Sequence, residues 1–237
     1  PKIYPYHEYV MLDENCKQII DTADNNCEKL LAISKSHIEG YENFPLNLQY
    51  GLQYLNELVK KNHCESIIYY CNLLIKGKYI TQNLKKARNL IDEKIKCNKS
   101  TYLYLLGKIH LKEKQYEEAK LNFQESFQAG NDESIYEYGK MIYKGQGFHI
   151  DKNQSVQFFE RAIEQGIARA MFKYGKMILN EEVLGKTKED GVNYIKISAD
   201  KEYLKAMYYY STILIKGEYV PANKELSFAL LKKAANK

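Results

Sequence analysis

Apolar residues recur along the chain three and four apart, in stretches about a helix long, separated by short polar turns rich in Gly, Asn and Asp. Small residues set the phase of these stretches. Cys71, Gly107, Gly139, Gly175 and Ser211 each follow a Tyr or Leu, at separations of 36, 32, 36 and 36. A second series, Gly51, Ala87, Ala119, Ser155, Gly191 and Ser227, runs at 36, 32, 36, 36 and 36. Each residue of the second series stands 20 before the next of the first, and the one irregularity is a shortening by four between Gly107 and Ala119. Two phase-locked series at such a period mark a repeat that makes one helical hairpin each time. The small side chains have a physical purpose. Where the two helices of a hairpin cross tightly, anything beyond a methyl would hold the backbones apart.

The end signals keep the same period. Four residues before the second series stand Asn47, Asn83, Asp151, Thr187 and Asn223, all good N-cap types. Eleven residues after it stand Asn62, Asn98, Gly130 and Gly166, which accept a left-handed helix stop, with Glu202 as the exception. Turns carrying Gly77, Gly145 with Gly147, Gly185 and Gly217 precede the caps. The pattern predicts helix pairs at 64–76/84–97, 100–112/116–129, 132–144/152–165, 168–180/188–201 and 204–216/224–236. Upstream, 27–39 and 48–61 form a more diverged pair with Gly40 in its turn. Residues 14–24, capped by Asp13, read as the second helix of a still earlier repeat, and Pro1–Leu12 as a linker or extension. The fold class is all-α, a solenoid of antiparallel helix pairs, and since neighbours share a core the reading is one elongated domain. Within it, 13–63 holds the diverged repeats and 64–237 an array of five units, 64–98, 99–131, 132–167, 168–203 and 204–237.

One stretch carries a family pattern. Ser134, Tyr138-Gly139, Gly145-Gln146-Gly147-Phe148, Asp151, Ser155, Ala162 and Gly166, in this spacing, resemble the Sel1-like repeat, a branch of the tetratricopeptide repeats. Ala170 with Tyr174-Gly175, and the ending Lys232-Lys233-Ala234-Ala235, look like the same family. The short-turn unit, Leu106-Gly107 through Gln115-Tyr116-Glu117-Glu118-Ala119 to Phe123, resembles a plain tetratricopeptide repeat. Cys71 and Ser211 in place of Gly, and Gly191 in place of Ala, depart from the pattern without shifting its register. The resemblance implies a right-handed superhelix and a family of non-catalytic adaptors and scaffolds that bind other proteins. A fold does not choose the partner, so the surface must.

In such solenoids the first helices line the concave face. Three residues before the marker stand Ile68, Tyr104, Tyr136, Phe172 and Tyr208. One residue after it stand Asn72, Lys108, Lys140, Lys176 and Thr212, and five after it Lys76, Lys112, Lys144, Asn180 and Lys216. These spacings share one helical face. The expectation is an aromatic ladder beside two rows of lysines that holds an acidic or C-terminal-carboxylate peptide along residues 104–216. The competing reading packs the aromatics between adjacent repeats and leaves the lysines as solvated surface.

Composition changes this picture little. With 45% hydrophobic residues, 27% charged, 4 Pro and 13 Gly, the chain is neither disordered nor collagen-like. A net charge of +5 favours acidic partners weakly and does not demand nucleic acid. Tyrosines interleaved with lysines could stack single-stranded bases, but arginine is scarce (Arg88, Arg161 and Arg169). No apolar run approaches the roughly 18 residues of a membrane span. Five cysteines, odd in number and confined to the first hundred residues, point to a reducing, cytoplasmic setting. The triplets Asn98-Lys99-Ser100 and Asn153-Gln154-Ser155 point instead toward the ER lumen.

No catalytic constellation and no cofactor are read from the chain. Gly145-Gln146-Gly147 lacks the strand and the Lys-Ser/Thr of a phosphate loop. His63, Cys64, Cys71 and Cys97 could be imagined around a metal, but Cys71 holds a crossing position that asks for a small buried residue. A further reading is a self-association or regulatory module of a larger enzyme such as a kinase, with Phe228, Leu231 and Ala235 of the last helix covered by further repeats or another copy.

Overall fold

The computed structural model describes residues 26–40, 46–95 and 98–235, together with Gln18 and Ala23. The expected linker Pro1–Leu12, the Asp13 cap, most of the helix expected over 14–24, and Cys97 lie outside the described residues. Among those residues there are twelve α-helices and no strand. They are α1 (Cys27–Glu39), α2 (Leu48–Lys60), α3 (Cys64–Lys76), α4 (Leu84–Lys94), α5 (Lys99–Lys112), α6 (Tyr116–Gln128), α7 (Asp132–Lys144), α8 (Lys152–Glu164), α9 (Ala168–Leu179), α10 (Lys188–Asp200), α11 (Leu204–Lys216) and α12 (Lys224–Ala235). The fold is an all-α repeat solenoid, and it divides into two compact units, Pro1–Leu105 and Leu106–Lys237.

The helices begin where polar caps stand. Asn47, Asn83, Asp151, Thr187 and Asn223 accept from the backbone N–H groups of Tyr50, Lys86, Gln154, Asp190 and Leu226. Each such cap satisfies an orphan donor and contributes about 1 kcal/mol. Thr187 and Asp190 close a reciprocal capping box. The first helices α3, α7 and α11 end at Gly77, Gly145 and Gly217 in the left-handed conformation. The stop after each second helix is set by the register more than by residue type. Asn62, Gly130 and Gly166 are left-handed, and so is Glu202, at φ 62, although a Cβ disfavours it there. Asn98 has another task, capping α5 by accepting from the Thr101 N–H at 3.0 Å.

At the crossings the small residues press helix on helix. In the first unit the Ser34 hydroxyl donates to the Gly51 carbonyl at 2.8 Å, and Cys71 Sγ lies 3.9 Å from the Ala87 carbonyl oxygen. In the second, the Ser227 hydroxyl donates to the Ser211 carbonyl at 3.1 Å. A Cβ on Gly175 would stand 2.7 Å from the Gly191 carbonyl oxygen, and one on Gly107 would stand 2.8 Å from the Phe123 ring. Four residues after the second series, Leu55, Ile91, Phe123, Phe159 and Ile195 are all fully buried and fill the layer between the hairpins. Phe228, in the last helix, is 70% exposed and Leu231 half-buried.

Candidate partner-binding face

In the second unit the first helices α7, α9 and α11 carry the residues expected to meet a partner. Tyr136 and Phe172 are half-buried. The Tyr136 ring lies 5.9 Å from Phe159, and the rings of Tyr203 and Tyr209 stand 5.6 and 5.7 Å from Phe172. Burial pushes the Tyr136 hydroxyl well above its ordinary value, and the neighbouring Glu137 charge adds to that. Both rings thus serve the packing between successive hairpins and show the solvent only part of a face. Tyr208 is different, at 49% exposed. Tyr104 lies in the first unit and is half-buried.

The lysines also divide. Lys140 pairs with Glu137 one turn away, and its ammonium lies 5.5 Å from the Tyr136 ring centre. Glu137 is buried and shared, because the Arg169 guanidinium donates to it at 3.1 Å and reaches Glu133 as well. The same guanidinium stacks on Tyr136 at 4.8 Å. Burial alone would push the Glu137 carboxyl up. The charges of Lys140 and Arg169 outweigh it and hold the group below the ordinary carboxylate value, with a smaller contribution from Lys108. Lys112 is exposed, and Lys216, also exposed, stands 3.5 Å from Glu218.

Lys144 and Lys176 have no carboxylate within ion-pair distance among the described residues. Lys176 rests over Tyr209 at 5.1 Å and Phe172 at 6.0 Å, half-buried, while Lys144 is exposed at the end of α7. Beside them stands Lys173, which the marker spacing did not single out. Its ammonium sits 3.3 Å above the Tyr143 ring centre. Burial lowers its affinity for a proton; Glu182 opposes that, and Lys176, Lys152 and Lys144 reinforce it. Glu182 accepts from the Tyr143 hydroxyl at 3.0 Å and from Lys152 at 3.0 Å.

Glu133, Glu137, Arg169, Lys173, Tyr143, Lys152 and Glu182 were not among the residues expected on this face. One signal would have found four of them. The position two before the marker stands one turn from the lysine position and the position six before it one turn from the aromatic position, and there stand Glu137, Lys173, Glu133 and Arg169. His63, once a conceivable metal ligand, bonds the Ser66 hydroxyl at 2.7 Å, and Cys71 is fully buried at its crossing. No helix among the described residues is long and apolar enough to cross a membrane.

The Sel1 repeat family model matches at three places, residues 64–91, 132–167 and 204–237. The chain carries Sel1 repeats. The matched segments fall on alternate hairpins, α3/α4, α7/α8 and α11/α12. The hairpins between, α5/α6 and α9/α10, keep the same tight crossing at Gly107 and at Gly175/Gly191. Among solved structures it is similar to a Sel1 repeat protein from Oxalobacter formigenes, at 18% identity over 98% of this chain and 96% of that one, with a TM-score of 0.63. It is also similar to an immunity protein from Pseudomonas aeruginosa, at 14% identity over 90% of this chain and 83% of that one, with a TM-score of 0.64. At these identities the likeness speaks for the fold alone. A comparison with curated protein sequences finds no match. Sel1 repeats are in general protein–protein interaction scaffolds and not catalysts.

Proposed function

We propose that this protein is a non-catalytic adaptor that holds an acidic peptide segment of a partner protein against the α7, α9 and α11 face of its second unit. The observation that carries this reading is the conjunction of an exposed Tyr208 with Lys144 and Lys176, which have no ion partner among the described residues, on helices that already present aromatic faces. Tyrosine offers contact area at little entropic cost, and unpaired ammonium groups attract carboxylates. Arg169, the arginine of this face, is engaged by Glu133 and Glu137, which leaves no guanidinium fork there for phosphates.

The test is fluorescence anisotropy with a fluorescein-labelled peptide of alternating Glu and Ser, its Gln-for-Glu counterpart, and a labelled single-stranded oligonucleotide. The Glu peptide binds and the Gln peptide does not. Tyr208→Ala weakens binding about tenfold, or 1.4 kcal/mol, while the melting temperature stays put. Equal binding of the Glu and Gln peptides would overturn the reading. So would tighter binding of the oligonucleotide with a steep loss on adding salt, the mark of phosphate contacts.

A further inference from the structure

The first-helix face is not evenly charged, and the unevenness locates where a carboxylate would sit. At the level of Tyr136, Lys140 and Arg169 face Glu133 and Glu137, two cations against two anions in direct contact. At the level of Tyr143, Lys152 and Lys173 lie over the same ring at 5.9 and 3.3 Å, Lys144 follows Tyr143 in the chain and Lys176 stands one turn along α9 from Lys173, with Glu182 paired to Lys152. Glu182 is itself held, by the Tyr143 hydroxyl and by Lys152. Glu181 beside it turns to Lys188 at 2.7 Å. That leaves Lys144, Lys173 and Lys176 without a counter-charge within ion-pair distance among the described residues, although Lys173 and Lys176 are half-buried. Partly desolvated like charges repel one another, and an incoming anion relieves both costs at once.

Resting on the reading above, we infer that Lys144, Lys173 and Lys176 form the subsite for a side-chain carboxylate of an acidic peptide, beside Glu182, whose own charge, held by Tyr143 and Lys152, opposes the incoming one. A carboxylate suits the cluster on two grounds. One carboxylate already sits there between a phenol and an ammonium, so the geometry accepts that group. The cations are point-like ammonium groups, with the Arg169 fork committed elsewhere. Lys173 is the anchor of the subsite, because its ammonium is fixed over the Tyr143 ring and loses little freedom on binding. Lys144 ends α7, where its charge also offsets the helix dipole. Lys140, by contrast, belongs to the neutral cluster and lies outside the subsite.

The experiment uses the same labelled Glu/Ser peptide on the whole chain. Lys173→Gln with Lys176→Gln is expected to weaken binding at least tenfold at unchanged melting temperature. Glu182→Gln is expected to tighten it about threefold, a gain that no loss of folding can imitate. If the peptide still depends on Tyr208 but is indifferent to Lys173, Lys176 and Glu182, the subsite is wrong while the groove reading survives. If the wild-type chain does not distinguish Glu from Gln peptides, the groove reading falls and the subsite with it.

Discussion

Helices α7 and α9 occupy the same place in successive repeats, yet one face is electrically closed and the other open. Two residues before the marker α7 carries Glu137 and α9 carries Lys173; one residue after it both carry lysine, Lys140 and Lys176. In α7 the pair is a Glu and a Lys three apart, which neutralise each other and draw Arg169 in from the next repeat. In α9 the pair is two lysines, and Glu182, the carboxylate that acts on Lys173, already belongs to Tyr143 and Lys152. One position of the repeat therefore decides whether a row of cations knits hairpins together or remains available to something outside. A lysine in a repeat cannot be assigned a role from its own phase, because the charge one turn away sets it.

A substitution at the α9 crossing disturbs the closed and the open cluster together. In Gly175→Ala the new methyl would meet the Gly191 carbonyl oxygen at 2.7 Å and the Ile195 backbone nitrogen at 3.2 Å, and backbone yields poorly. A loss of about 3 kcal/mol, seen as a lower urea midpoint, is expected, since α9 presents Arg169 to one cluster and Lys173 to the other.

Glu137→Gln breaks the closed half alone. It leaves Lys140 and Arg169 facing an uncharged partner and should cost about 2 kcal/mol, with peptide affinity kept. The same residue gives the pH test. Its carboxyl is held below the ordinary value of 4.5, so its contribution is complete above that value and is lost as pH falls through the folded-state value. The stability gap between wild type and Glu137→Gln should be constant from neutral pH to about pH 5 and close below it. A gap that widens on acidification would refute the assignment.

Smaller effects sharpen the open half. Lys173→Glu recreates in α9 the arrangement of α7, removes like-charge repulsion and pairs with Lys176. The new pair with Lys176 offsets the lost contact with the Tyr143 ring and the repulsion from Glu182, so stability should stay within about 0.5 kcal/mol of wild type while peptide binding is abolished. Lys144→Gln, at an exposed helix end, should move stability by no more than about 0.5 kcal/mol, so that any larger fall in peptide affinity reports binding. Loss of both properties together in either variant would mean that the lysines are structural.

The hairpin register is legible in the sequence because its causes are local and periodic. Asn47, Asn83, Asp151, Thr187 and Asn223 cap the helices they precede, and α7 and α11 run over the expected spans. The predicted helix 84–97 stops at Lys94, and Asn98 caps the next helix instead of ending the last. An Asn serves either end of a helix, so type and spacing alone do not decide between them. The aromatic positions were legible as a row. That Tyr136 and Phe172 are spent largely on packing while Tyr208 is exposed depends on what the next hairpin lays over them.

The helices, their caps and the crossings are written in the order of residues, since each follows from spacing within one period and from the space a backbone crossing leaves for a side chain. Which charges meet is settled only when the hairpins stack. Arg169 reaches Glu137 across 32 residues and Tyr143 reaches Glu182 across 39. Coulomb energy depends on distance in space and on burial, and neither can be read from a residue's place in the repeat.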